Sequence, residues 1–141
     1  MTDAFLRSLS HPNIIAIGDA AQASSTDGGG CRMGCATALA MATAGARTLT
    51  ALLAGKAPPA FRFVYLFRNI SLGRRDGVVQ FVDRRDVPRS IVWTGVNAAA
   101  WKEYICLSTL ATVGLSTPER PPALPPLRML RQLLRGARQY A

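Results

Sequence analysis

The sequence predicts an α/β fold over residues 1–60, followed by an α+β domain with antiparallel strands over residues 61–116. Two observations lead there. Residues 13–17 (Asn-Ile-Ile-Ala-Ile) form a short apolar run that stops at Gly18-Asp19, as a fully buried parallel strand does, and a long Ala-rich stretch follows. Farther on, Phe61, Phe63, Tyr65 and Phe67 alternate with Arg62, Val64, Leu66 and Arg68, a period of two with one aromatic face.

The elements follow in order. After the apolar run comes a loop of small residues, Ala20 to Gly30, with Ser24, Ser25, Thr26, Asp27 and three consecutive glycines. From Met33 to Leu53 the chain is rich in Ala, Leu and Met and free of Pro, which predicts a helix. Gly55 then suits its C-terminal cap, and Pro58-Pro59 prevents continuation. Ile70 to Leu72 and Val78 to Val82 flank a Gly73–Gly77 turn, a hairpin turning at Asp76-Gly77. Ile91 to Thr94 is a further strand. Asn97 is placed to cap a helix carrying Trp101, Tyr104 and Ile105 at i, i+3, i+4 spacing. Five prolines between Thr117 and Pro126 predict an extended linker over 117–126, and 127–141 a basic amphipathic tail. A lone parallel strand has no neighbour in this order, so the first sixty residues read as one piece of a larger sheet.

Composition narrows the function classes. The net charge is +9, from 17 Lys and Arg against 8 Asp and Glu, which favours anionic partners. Nucleic acid is the weakest of these, because the arginines interleave with Asp76, Asp83 and Asp86 and no recognition motif accompanies them. Mean hydropathy is only +0.15, and no run reaches the roughly 18 uninterrupted apolar residues of a spanning helix. The first residues lack a basic and apolar leader pattern, so the expected location is the cytoplasm. Cys31, Cys35 and Cys106 are too sparse for a disulfide framework, and His11 is the only histidine, so no zinc site is expected and metal ligands are none. His11, Cys31, Cys35, Trp93 and Trp101 read as structural residues.

The segment from Ser10 to Ala21, an apolar strand ending in Gly18-Asp19, is similar to the second FAD motif of the two-dinucleotide-binding-domain flavoproteins. The helix start Arg32 to Ala38 and the strands near Phe61 to Tyr65 and Ile70 to Gln80 extend the likeness. Together they resemble the C-terminal part of a type II NADH dehydrogenase, a pyridine nucleotide oxidoreductase, over residues 1 to 110. The resemblance implies a Rossmann-like FAD-binding segment, with Asp19 accepting hydrogen bonds from the ribityl chain and Gly18 allowing close approach. It implies that the helix start at Met33 and Gly34 faces the pyrimidine edge of the flavin, where a helix N-terminus stabilises negative charge. It further implies NAD(P)H as substrate, a quinone or similar acceptor, and a missing N-terminal portion, or separate chain, that carries the rest of the FAD and NADH sites. No Gly-x-Gly-x-x-Gly fingerprint occurs in this sequence, and Gly28-Gly29-Gly30 does not replace it, so the lone chain is expected to be inactive. No catalytic acid, base or nucleophile is nominated. The alternative is a basic peripheral membrane or interaction module without redox activity.

The tail adds a partner. Leu127, Met129, Leu130, Leu133, Leu134 and Ala137 fall on one side of a helical wheel and Arg128, Arg131, Arg135 and Arg138 on the other, as in a helix lying on an anionic membrane surface. That surface would be the inner face of the plasma membrane. Residues 127–141 are therefore expected to bind anionic vesicles, each arginine contributing about 1 kcal/mol. Co-sedimentation should weaken with salt without vanishing, and Gln at the four arginine positions should remove the preference for anionic lipid. Equal sedimentation of full-length and truncated chains would contradict this.

Overall fold

Alanine builds the first long element. In the computed structural model, which describes residues 1–115, helix α1 runs Cys35–Leu53. Six alanines between positions 36 and 46 give it high intrinsic propensity. It starts two residues later than the composition predicts, because Gly34 is its N-cap. It ends in a Schellman turn: Gly55 has φ +66°, its N–H donates to Leu52 and the Lys56 N–H to Ala51. The described residues form two helices and two small antiparallel sheets, in two compact units. One comprises residues 1–66 with 84–87, the other 67–83 with 88–115; the predicted linker at 117–126 and tail at 127–141 lie outside the described residues. No strand pair among the described residues is parallel.

Residues 13–17 correct an expectation. They run extended but form only an isolated antiparallel bridge, Arg7 with Ile15, and Ile14 and Ile17 are exposed. An apolar run this short takes the neighbour that the chain supplies, and here that is residues 6–8 of the preceding turn. One side of the run lies on α1: a Cβ on Gly45 would come 2.8 Å from Ile17 Cγ2 and 3.5 Å from Ile15 Cγ2. The core of this unit is Leu6, Ala21, Ala23, Met41 and Phe61, with Ile15, Ala16, Cys31, Ala40, Ala44 and Phe63 packed around it. At the N-terminus the Asp3 carboxylate gathers the N–H groups of Phe5 and Arg7 and the Arg7 guanidinium. Burial raises its pKa, but these donors outweigh it and hold the carboxyl below its ordinary value.

The small-residue loop also differs from expectation. It closes as a two-stranded hairpin, β1 (Ser24–Ser25) against β2 (Gly29–Gly30). The buried Ser25 hydroxyl organises it. Ser25 Oγ donates to the Phe63 carbonyl at 2.7 Å and accepts from the N–H groups of Phe63, Asp27 and Gly28 at 2.7, 3.2 and 3.4 Å. This explains why residues 61–66 form no strand ladder despite their alternation. The backbone of Phe63 is satisfied by a side chain rather than by another strand. The alternation itself holds in burial: Phe61 and Tyr65 are buried, whereas Arg62 reaches out to a bidentate pair with Asp27. That guanidinium holds the Asp27 carboxyl below its ordinary pKa.

The second unit is a three-stranded meander, β3 (Phe67–Ser71), β4 (Gly77–Val82) and β5 (Pro88–Thr94), in the order β3-β4-β5. The predicted hairpin is there, with Phe67 opposite Phe81 and Ser71 opposite Gly77. Its turn is residues 72–76, so Gly77 opens β4 instead of sitting in the turn. A bulge lies between Gln80 and Val82, and the Gln80 amide reaches the carbonyls of Phe81, Arg89 and Ile91 around it. Helix α2 (Gly95–Thr112) crosses one face of the sheet. Its N-cap is Thr94, so Asn97 lies inside the first turn and caps nothing. Asp76 fixes the helix start instead, its Oδ1 accepting from the Gly77 and Gly95 N–H groups. Trp93 and Trp101 join Phe67, Phe81 and Tyr104 in a chain of ring contacts 4.9–6.2 Å between centroids, most of them edge to face. Both tryptophans are packing residues, as expected.

Two glycine replacements separate backbone crowding from side-chain crowding. A Cβ on Gly28 would lie 2.6 Å from the Phe63 carbonyl oxygen and 3.1 Å from that of Arg84. Gly28→Ala should cost about 2–3 kcal/mol in urea unfolding. At Gly45 the nearest atom is Cγ2 of Ile17, a methyl of a β-branched side chain that clears only by a change of χ1 or a backbone shift, and alanine adds about 1 kcal/mol of helix propensity, so Gly45→Ala should lose less than Gly28→Ala. Equal losses would contradict the packing described.

Candidate functional site

Gly18, Asp19 and Gly34 meet at the N-terminus of α1. Gly18 adopts φ +72°, which a side chain adopts only with strain, and opens a 3-10 turn over Gly18–Ala20. A Cβ there would touch only Ala38, at 3.9 Å, so the turn sits directly beside the first turn of the helix. Asp19 Oδ1 accepts from the Gly34 N–H at 2.9 Å across fifteen residues of sequence. The helix has no acidic residue in its own first turn and no side-chain cap on its N–H groups. Thr37, buried in that turn, turns its hydroxyl back to the carbonyls of Arg32 and Gly34. The Asp19 carboxylate therefore stands at the positive end of α1.

This arrangement offers two complementary chemistries. The exposed carboxylate accepts hydrogen bonds from hydroxyl groups, and the helix start donates them to an electron-rich or anionic edge. Of the four residues named for cofactor contact, Gly18, Asp19 and Gly34 come together. Met33 directly precedes Gly34, with its side chain 80% exposed. Among the described residues, no three His, Cys, Asp or Glu side chains gather as metal ligands. His11 lies in an exposed turn, where Ser10 Oγ meets its Nδ1 and the Ile14 N–H bonds its carbonyl.

Sequence reasoning missed the brace behind this site. The Arg32 N–H donates to the Tyr65 hydroxyl, while its guanidinium lies 4.2 Å from the Tyr65 ring centroid and pairs with Asp86 Oδ2 at 2.7 Å. The turn leading into α1 is thus held from two distant segments. Asp86 sits at φ +67°, a conformation that costs a non-glycine residue about 1–2 kcal/mol. No local signal marks the trio, since its members are 33 and 54 positions from Arg32.

Burial also pushes the Tyr65 hydroxyl and the Cys31 thiol above their ordinary pKa values. A raised thiol pKa leaves less thiolate at neutral pH. Cys31 should therefore alkylate more slowly at pH 8 than the exposed Cys35 and Cys106, and its rate should still be rising at a pH where an ordinary thiol has levelled off. Mass-spectrometric labelling kinetics would show this; Cys31 reacting first would contradict the packing of the turn.

No known protein-family model matches the chain, and no curated protein matches it.

Proposed function

We propose that the chain is part of an FAD-dependent NAD(P)H oxidoreductase resembling the type II NADH dehydrogenases, its first unit being the end of a Rossmann-like FAD-binding segment. The observation that carries this reading is the hydrogen bond from the Gly34 N–H to Asp19. It joins the two motifs, the Gly-Asp turn and the helix start, that the resemblance assigns to one cofactor. The residues present fit the ribityl and pyrimidine end of FAD. Asp19 is exposed with a second carboxylate oxygen to offer, Gly18 allows close approach, and α1 presents an uncapped start. When bound, the flavin would take hydride from NAD(P)H and pass electrons to a quinone or similar acceptor. Asp19 would orient ribityl hydroxyls, and the first N–H groups of α1 would stabilise negative charge on the pyrimidine edge. The missing N-terminal portion, or a separate chain carrying it, would supply the adenosine and NAD(P)H surfaces.

A second reading, a basic peripheral membrane or interaction module without redox activity, draws on the basic stretch 127–141, whose deletion should then abolish lipid binding. Helix α1 is also long and apolar enough to cross a membrane by length and composition, with 22% of that stretch buried. Binding of neutral and anionic vesicles by a chain that takes up no flavin under any condition would favour this reading.

The lone chain should purify colourless. Supplied with a complementary N-terminal portion of a type II NADH dehydrogenase, it should retain FAD through gel filtration. Asp19→Ala should then weaken FAD binding about tenfold or more, the worth of a charge-assisted hydrogen bond of about 1.5–3 kcal/mol. Unchanged affinity in the reconstituted complex would remove Asp19 from the site.

A further inference from the structure

The left-handed backbone of Asp86, at φ +67°, favours glycine, and a chain keeps another residue there only where its surroundings hold it. Here the side chain supplies the hold. Asp86 Oδ2 lies 2.7 Å from Arg32 Nε, and the aspartate side chain is only 13% exposed. Arg32 packs against Tyr65 and stands two residues ahead of Gly34, whose N–H meets Asp19. Residues 84–87, which carry Asp86 there, lie between the strands β4 and β5 but belong to the first unit. They are seated in it a second time, where a Cβ on Gly28 would come 3.1 Å from the Arg84 carbonyl oxygen.

We infer that Arg32 and Asp86 are positioning residues, whose pair holds the start of α1 against Asp19 and so lets the connection 84–87 set the geometry of the candidate site. Breaking the pair frees Asp86 to leave its strained conformation, so the loss of one contact becomes a change of backbone. The turn before α1 then keeps fewer of its anchors, and the Gly34 N–H and the first helical bond, from the Ala38 N–H to the Gly34 carbonyl, open more often. What binds at the site rests on the flavin reading above; the hold on the helix start does not. A group that accepts hydrogen bonds from the start of α1 favours the placement that the Arg32–Asp86 pair also favours. Such support is reciprocal, so a bound group should steady residues 84–87 in return.

Amide exchange of the full chain tests this without any cofactor. Asp86→Asn removes the charge and keeps a side chain that tolerates the left-handed conformation; Asp86→Gly also removes the backbone cost. Both should speed exchange of the Gly34 and Ala38 amides about fivefold or more. The Ala16 amide, bonded to the Leu6 carbonyl in the same unit, should not change. Arg32→Gln should match Asp86→Asn, and the two together should add nothing, because either one removes the whole pair. Asp86→Gly should leave the urea midpoint nearly where it was, relief of strain offsetting the lost pair, which a merely structural role would not do. Unchanged exchange at Gly34 and Ala38, equal acceleration at Ala16, or additive effects of the two substitutions would each overturn the inference. With the complementary portion present, FAD should slow exchange of residues 84–87, and Asp86→Asn should weaken FAD binding about threefold or more. A complex that binds FAD with neither effect would also overturn it, whereas a complex that binds none would remove the flavin reading alone.

Discussion

The hydroxyl of Ser25 is the constraint on which much of the first unit depends. It is buried, so each of its hydrogen bonds forms away from water, where losing a partner leaves a donor or acceptor stranded at a cost of about 1–3 kcal/mol. It binds both polar groups of Phe63 and two N–H groups of its own hairpin. With Phe63 fixed, Phe61 enters the core beside Leu6 and Met41, and Tyr65 arrives where its hydroxyl meets Arg32. Arg32 lies immediately before Met33 and Gly34. The position of the α1 start, and hence its meeting with Asp19, is thus set partly by a serine that touches neither.

The second unit reaches its order by different means. Its contacts are mostly apolar and aromatic, built from sequence neighbours folded back on one another, with β3, β4 and β5 in simple succession. Polar groups serve at its margins: Asp76 holds the helix start, and the Gln80 amide covers the carbonyls around the bulge. Close approach of α2 requires a residue without a side chain at Gly77, where a Cβ would come within 3.1 Å of the Ala99 nitrogen.

What could be read from the sequence was what is decided locally. The alanine run and Gly55 marked α1 and its ending, and the apolar runs Ile70 to Leu72 and Val78 to Val82 about a glycine-bounded turn marked the β3–β4 hairpin. Trp101, Tyr104 and Ile105 marked α2, although its start lies at Gly95 rather than at a cap on Asn97. The apolar run at 13–17 was misread as a buried parallel strand because composition reports burial preference and not the neighbour available to satisfy it. The Ser25 hydroxyl gave no warning, since serine in a small-residue loop is ordinary and its partner is 38 positions away. At the candidate site, Gly18, Asp19 and Gly34 were visible as separate motifs. Their hydrogen bond, and the Arg32, Tyr65 and Asp86 brace behind it, depend on distant segments that local patterns do not encode.

Residues 84–87 belong to the first unit, although they lie between two strands of the second. The chain therefore passes between the units three times, at 66–67, 83–84 and 87–88. Such a chain has no single point at which a gene could be cut to give two self-sufficient pieces. A product ending at Leu66 would keep Arg32 and Tyr65 but lose Asp86, the carboxylate that pairs with Arg32. A product beginning at Phe67 would carry that carboxylate away from its arginine. A cut at any one point therefore leaves at least one of the two units incomplete.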